Sequence, residues 1–130
     1  VMHHLLARWG GRLVLIASLL IAAVRWVIVG LYPESLVLMI ASQLLHAATF
    51  GTFHASAIHL VHHYFRGRHQ GRGQALYSSL SYGAGGATGS LLSGWSWEAI
   101  GPVETFLISS IISVLGALIA WRYIDDAHDY

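Results

Sequence analysis

The sequence has 130 residues, of which 55% are hydrophobic and 10% are charged, with a formal net charge of +1. Because a soluble domain carries charge on about a quarter of its residues, this composition argues against a water-soluble globule and predicts a membrane protein. Cysteine is absent, which excludes a disulfide framework and a thiolate metal site. The first residue is Val and not Met, so we expect the sequence to be a piece of a longer chain.

Four apolar segments predict an all-α membrane protein with four transmembrane helices. A hydrocarbon core about 30 Å thick needs about 20 apolar residues in a helix. The predicted spans cover about 13–31, 36–65, 74–95 and 106–123. The third is weakly hydrophobic because Gly and Ser replace larger residues. We assign residues 1–12 to a cytoplasmic loop and residues 13–130 to a four-helix membrane unit.

The arginines predict the orientation of these spans. Arg8 and Arg12 precede the first span, and an arginine cluster at 66–72 lies between the second and third. The other two connections contain Glu34, Glu98 and Glu104 but no Lys or Arg. The positive-inside rule therefore places both termini and the 66–72 loop in the cytoplasm. Since that cluster is a short loop between apolar segments, we do not expect it to bind nucleic acid.

Polar side chains interrupt the first two spans. Arg25 is the one charge of the first span, and Gln43, His46 and His54 lie in the second. An ionisable group at bilayer depth costs several kcal/mol, so such groups usually face a cavity or a partner and serve transport. Together with Phe50, the three polar residues of the second span lie within about 80° of one helical face. This stripe is typical of the wall of a solute cavity.

Helical rise places Gln43 at about the depth of Arg25, with His46 roughly 5 Å deeper, within reach of an extended arginine. The alternatives are an Arg25 that extends to the outer head groups as an anchor, and a His46 that only bonds to a neighbouring backbone group. His59 and His63 have the i, i+4 spacing of metal ligands, but no carboxylate or thiolate accompanies them, and interfacial histidines are favoured. A membrane haem is disfavoured because the span histidines all lie on one helix. We predict neither a metal nor a cofactor.

The third span contains two rows of small residues that repeat every four positions. The rows contain Ser81, Gly85 and Gly89, and Gly86, Ser90 and Gly94. Small residues at this spacing let helices approach closely in lipid, so we predict that these residues serve helix packing. Tyr82, near the depth of Phe50, adds a hydroxyl to the predicted cavity.

Several sequence runs resemble one transporter family. RWGGRLVLIASLL, which begins at Arg8, resembles the end of a loop motif of the major facilitator superfamily, although the acidic part of that motif is missing. QLLHAATFGTFHASA, GQALYSSLSYG and the turn WEAIGP resemble the C-terminal third of the phenylpropionate permeases. These belong with the lactose-permease-like and nucleoside-symporter-like proton symporters.

The resemblance implies a role for the chain. The four spans would be helices nine to twelve of a twelve-helix fold in the bacterial inner membrane, with the missing N-terminal helices as partners. Uptake of a small solute (an aromatic acid, sugar or nucleoside) would be coupled to protons, without enzymatic activity. Arg25 matches the arginine of helix nine, and His46 best matches the histidine of helix ten. The predicted solute and proton pathway contains Arg25, Gln43, His46, Phe50, His54 and Tyr82.

The predicted spans contain no acidic residue, which bears on both possible kinds of transporter. No Asp or Glu lies within a predicted span, so an acidic proton carrier would have to lie upstream of this sequence. The alternative is a self-contained four-helix protein that acts as a small dimeric exporter. Such exporters usually carry an intramembrane Glu, which is also absent here.

Overall fold

The computed structural model describes residues 2–124, which are almost entirely helical and contain no strand. The helical elements are α1 (Met2–Leu31), α2 (Leu36–Tyr64), a 3₁₀ turn (Gly67–His69), α3 (Gln70–Ser78), a π segment (Ser79–Ala84), α4 (Gly85–Ala99) and α5 (Pro102–Tyr123). The last six residues of the predicted membrane unit lie outside the described residues. We call the end of the bundle near Arg12, Arg66 and Arg122 the basic end, and the end near Glu34 and Glu98 the acidic end.

Among the described residues, α1 from His3, α2 and α5 are long and apolar enough to cross a membrane. The segment predicted as the third span is also helical, and the backbone stays helical through the π segment, so residues 70–99 form one continuous helical stretch. The π segment separates two shorter α-helices within it, of which α4 is the longer at 15 residues. The chain is therefore an all-helical membrane protein with three spanning helices among the described residues, and the four-span count is not confirmed.

The N-terminal part of α1 differs from the loop predicted for residues 1–12. Residues 2–9 are helical, and a break follows at Gly10, whose φ of 81° and ψ of 155° suit glycine best. At the next residue, Gly11, a Cβ would lie 2.9 Å from Cδ2 of His59 on α2. The two glycines therefore turn the chain into the membrane helix and let that helix approach α2 closely.

Helix α1 lies between α2 and α5, which are its main neighbours, while α3 contacts α2 and α4 contacts α5. A small residue permits the close approach to α5, because a Cβ on Gly30 would lie 2.8 Å from Cβ of Phe106. A hydrogen bond also joins the two helices, from the buried Ser110 hydroxyl to the Ala23 carbonyl at 2.8 Å. Near the basic end, the Arg12 guanidinium donates to the Trp121 carbonyl and so satisfies an unpaired group at the end of α5.

The buried face of α2 is a stripe of hydroxyl side chains with seven-residue spacing. Ser42, Thr49 and Ser56 are at most 5% exposed. Each donates to a carbonyl of its own helix, at 2.7, 2.8 and 2.6 Å respectively. Beside this stripe, the Thr52 hydroxyl lies 2.8 Å from the Ser18 hydroxyl of α1. Small hydroxyl residues at a helix interface let the two backbones approach in lipid.

Candidate functional site

Arg25 is buried in the C-terminal third of α1, with 7% of its surface exposed. Its guanidinium carbon lies 4.0 Å from the centre of the Trp26 ring, close enough for a cation–π interaction. The Trp26 ring stacks on Phe106 of α5, with centroids 5.8 Å apart. Within residues 2–124, the buried Nε of Arg25 has no hydrogen-bond partner. Because a guanidinium cannot become neutral at ordinary pH, this donor favours an anionic or carbonyl oxygen beside it.

Arg25 and His46 line the same cavity between α1 and α2. The cavity has a volume of about 180 Å³. Its other lining residues are Ser18, Leu19, Ala22, Thr49, Phe50 and Phe53. A guanidinium side chain and an imidazole side chain therefore border one small cavity.

Aromatic rings continue from this cavity along α2. The His46 and Phe50 rings have centroids 6.0 Å apart, and Phe50 stacks on His54 at 6.3 Å with an interplanar angle of 5°. The i, i+4 spacing places all three on one face of the helix. His46 and Phe50 are exposed and His54 is partly buried.

Two tyrosines on the following helical stretch reach His54. The Tyr82 hydroxyl lies 3.1 Å from Nδ1 of His54, and the Tyr77 hydroxyl lies 3.5 Å from the same nitrogen. Tyr82 belongs to the π segment, while Tyr77 belongs to α3. The two phenol rings meet edge to face at 6.2 Å. This group of one imidazole and two hydroxyls can bind and pass a proton.

From the sequence, Tyr77 is a second candidate source of a cavity hydroxyl, but Tyr82 is the better placed, and the predicted pathway does not include Tyr77. In an α-helix, residues five apart point about 140° away from each other, so Tyr77 and Tyr82 would not share a face. A π-helix has i→i+5 hydrogen bonds and a wider turn, which brings residues five apart closer together. No hydropathy pattern in the sequence indicates where such a segment occurs.

Gln43 and the small-residue rows stand apart from this group. Gln43 is exposed and does not line the cavity of Arg25 and His46. All six residues of the rows are exposed: Ser81, Gly85, Gly86, Gly89, Ser90 and Gly94. A Cβ at Gly86, Gly89 or Gly94 would meet no atom within 4 Å. The close packing predicted for these rows is therefore not made with another helix of the described chain, and it stays a prediction.

A larger cavity, of about 450 Å³, lies between α1 and α2 on an apolar surface that includes Leu5, Trp9 and Ile21. Its hydroxyl groups, on Ser18 and Thr52, already bond to each other. It therefore offers little specific recognition beyond its shape. In the part of the chain from Met2 to Ile124, no group of three or more His, Cys, Asp or Glu residues is placed to hold a metal ion.

Apolar spanning helices, a buried arginine and a cavity lined by Arg25 and His46 define a class of protein. This class is the multi-pass membrane proteins with polar groups in their interior. The model of the MFS_1 like family matches residues 1–108 of the chain. The chain therefore belongs to this family of the major facilitator superfamily, whose members are transporters and not enzymes. A search of the curated proteins and a search of the solved structures found no match. Family membership does not favour the alternative of a self-contained small exporter.

Proposed function

We propose that this chain forms helices nine to twelve of a twelve-helix secondary transporter that takes up a small organic anion, such as an aromatic acid, together with protons. The observation that carries the proposal is that the buried Arg25 lines the same cavity as His46. Membership of a transporter family also supports a role in transport. The C-terminal resemblance to the phenylpropionate permeases favours an aromatic acid over a sugar or a nucleoside.

In this proposal, Arg25 binds the carboxylate of the solute. An arginine presents two parallel N–H donors that match the two oxygens of a carboxylate. The Nε of Arg25 lacks a partner within residues 2–124, and a solute carboxylate would supply one. Phe50 and Phe53 line the same cavity and offer apolar surface for an aromatic ring.

The proton would be carried by histidine. His46 lines the solute cavity, so protonation there favours an anionic solute by charge attraction. His54 lies one aromatic ring further along α2, in contact with Tyr77 and Tyr82. We assign His46 to coupling and His54, with Tyr82, to a proton path toward the basic end.

The remaining helices would cover the surfaces that this chain leaves open. The exposed small-residue rows of the π segment and α4 would pack closely against helices outside the described residues. Gln43, which is exposed on α2, would face the part of the central cavity that lies toward the other half of the transporter. The arginine distribution supports cytoplasmic termini. The resemblance to the phenylpropionate permeases favours the bacterial inner membrane.

Uptake measurements on the complete transporter test the role of Arg25. We expect Arg25→Ala to lower uptake of a radiolabelled aromatic acid at least about tenfold, because a charge-assisted hydrogen bond is lost. Arg25→Lys should retain part of the activity. Arg122→Ala is the matched control, since Arg122 is an exposed arginine in the last turn of α5. Unchanged uptake in Arg25→Ala, at equal membrane levels, would make Arg25 an anchor and overturn the proposed role.

A second measurement separates coupling from binding. His46→Asn should abolish proton-driven accumulation while leaving exchange of labelled for unlabelled solute across vesicles measurable. Asparagine keeps a hydrogen-bonding group at the cavity but cannot titrate. If accumulation persists in this variant, His46 is not the coupling residue.

A further inference from the structure

An aromatic ring of the same helix holds the guanidinium of Arg25. The central guanidinium carbon lies 4.0 Å from the centre of the Trp26 ring. Residues next to each other on a helix do not face each other, so the arginine side chain must turn toward its neighbour to make this contact. Arg8 and Trp9 form a similar pair, but at 5.3 Å and with both residues exposed. A cation–π interaction is stronger where water is excluded, so the pair that contains the buried arginine is the stronger of the two.

Two further rings fix the position of Trp26. It stacks on Phe106 of α5 with an interplanar angle of 22°, and Phe106 meets the Trp97 ring of α4 edge to face at 5.9 Å. Gly30 lets α1 and α5 approach this closely, because a Cβ there would lie 2.8 Å from Cβ of Phe106. We call Trp26, Phe106 and Trp97 the aromatic chain. It joins three helices and ends at the Arg25 guanidinium.

The stack on Phe106 matters because Trp26 borders a cavity. The cavity has a volume of about 360 Å³ and lies between α4 and α5. A ring beside such a space would have other rotamers open to it if no neighbour held it in place. The arginine that rests on the ring would then move with it. The aromatic chain therefore restricts the orientation of both Trp26 and Arg25.

An aromatic ring is well suited to hold an arginine that has to bind an anion. The ring attracts the guanidinium through its π electrons and brings no negative charge to the site. A carboxylate in the same place would neutralise the arginine and compete with an anionic solute for its N–H donors. Held by Trp26, Arg25 keeps its charge available for the solute. An arginine that is already oriented also loses less conformational freedom when the solute binds.

We propose that Trp26 is a positioning residue for solute binding, and that it holds the Arg25 guanidinium in the orientation that binds the solute carboxylate. Phe106 supports Trp26 in this role. The inference rests on the proposed function, because it takes Arg25 as the group that binds the solute. Since Trp26 acts through Arg25, loss of its ring should weaken solute binding and should not slow the transport of bound solute.

Uptake kinetics of the complete transporter test this proposal. We expect Trp26→Leu to raise the KM for a radiolabelled aromatic acid about tenfold, as loss of a cation–π contact away from water predicts. The maximal rate per transporter in the membrane should change less than about twofold, the pattern for a lost binding interaction. Trp26→Phe restores a ring and should recover part of the affinity. Trp95→Leu is the matched control, because Trp95 lines the same cavity as Trp26 but is 67% exposed, and its KM should be unchanged.

These kinetics distinguish the positioning role from the proposed function. An unchanged KM in Trp26→Leu, in a transporter that Arg25→Ala inactivates, would overturn the positioning role and leave the proposed function standing. Equal KM values in Trp26→Phe and Trp26→Leu, or an equal rise in Trp95→Leu, would also overturn it. Normal uptake in Arg25→Ala would instead overturn the proposed function, and the positioning role with it.

Unfolding of the complete transporter in mixed micelles tests the contact itself without any transport. Trp26→Leu should lower the midpoint of unfolding. In the Arg25→Gln background the same change should shift the midpoint by at most about half as much, because the cation that the ring attracts is already gone. Equal shifts in the two backgrounds would show that Trp26 serves packing alone and would overturn the proposal.

Discussion

The Tyr82 hydroxyl lies 3.1 Å from Nδ1 of His54, and this contact joins the π segment to α2. When Nδ1 carries no proton, the hydroxyl donates to it; when Nδ1 is protonated, the direction of the bond must reverse. The protonation state of His54 therefore decides which group donates in a bond to a helix segment that departs from α geometry. Segments with π hydrogen bonding are frequent at functional sites, where they alter local geometry.

Removing this hydroxyl gives the first prediction. Tyr82→Phe keeps the ring but deletes the hydrogen bond, which is worth about 1 kcal/mol. If His54 and Tyr82 carry protons as proposed, proton-driven uptake by the complete transporter should fall about fivefold. Tyr123→Phe, at a residue 74% exposed, should leave uptake unchanged. Normal uptake in Tyr82→Phe would remove this hydroxyl from the proton path.

The second prediction concerns the contact of α1 with α5. Gly30→Ala places a Cβ 2.8 Å from Cβ of Phe106, so one helix must shift. Overpacking of this kind costs about 1–3 kcal/mol. At Gly51 a Cβ would meet nothing within 4 Å, and Gly51→Ala should leave stability unchanged or raise it.

Unfolding of the purified protein in mixed micelles, followed by circular dichroism as the denaturing detergent increases, measures both glycine variants. We expect the midpoint of unfolding of Gly30→Ala to move to a lower detergent fraction. The midpoint of Gly51→Ala should stay the same or move to a higher fraction. Equal transitions would show that α5 does not pack on Gly30 as closely as in the structure.

The sequence predicted the bounds of α2 closely because they have strong local signals. The apolar run begins after Ser35, whose side chain accepts from the Leu38 N–H at 3.3 Å, and it ends before the glycine and arginine cluster. For the third span, composition predicted a helix but not the π segment inside it. The extra residue per turn of a π segment depends on backbone geometry that hydropathy does not encode. The break at Gly10 was not predicted, because the hydropathy pattern of a sequence does not indicate which residue adopts a positive φ.

For the candidate site, counting depth along the two helices led to Arg25 and His46, which line one cavity in the structure. No comparable sequence signal indicated the hydroxyl stripe that includes Ser42 and Ser56. A hydroxyl can satisfy itself on a carbonyl of its own helix, so it can face a neighbouring helix without a cavity. A guanidinium or an imidazole cannot do so easily, and for this reason those residue types were the better guide to the cavity.

The third prediction separates two neighbouring serines on α5. Ser110 donates to the Ala23 carbonyl of α1, whereas Ser109 donates to Thr105 within its own helix at 3.0 Å. Ser110→Ala should therefore lower the free energy of unfolding by about 0.6 kcal/mol, a typical value for hydrogen bonds between membrane helices. Ser109→Ala should have a smaller effect. The same detergent titration measures both, and a larger loss in Ser109→Ala would contradict the assigned interhelical bond.

The last prediction addresses the exposed rows of small residues. A Cβ at Gly89 would meet no atom within 4 Å, because Gly89 lines a cavity of about 360 Å³ between α4 and α5. A helix of Gly and Ser has little reason to face lipid, where larger apolar residues pack better. If helices of the complete transporter cover this face, Gly89→Leu should prevent their close approach and lower the yield of folded transporter. Gly89→Ala should show a smaller loss in the same direction.

Gly71→Leu is the control for Gly89→Leu, because a Cβ at Gly71 also meets nothing within 4 Å but lies outside the rows and the predicted span. Size-exclusion chromatography of the complete transporter, with fluorescence detection of a fused reporter, measures folded yield for each variant. A graded loss at residue 89 without a loss at residue 71 requires a neighbour on that face. Equal, undiminished yields would instead leave the face in contact with lipid and remove the small-residue rows from the assembly of the fold.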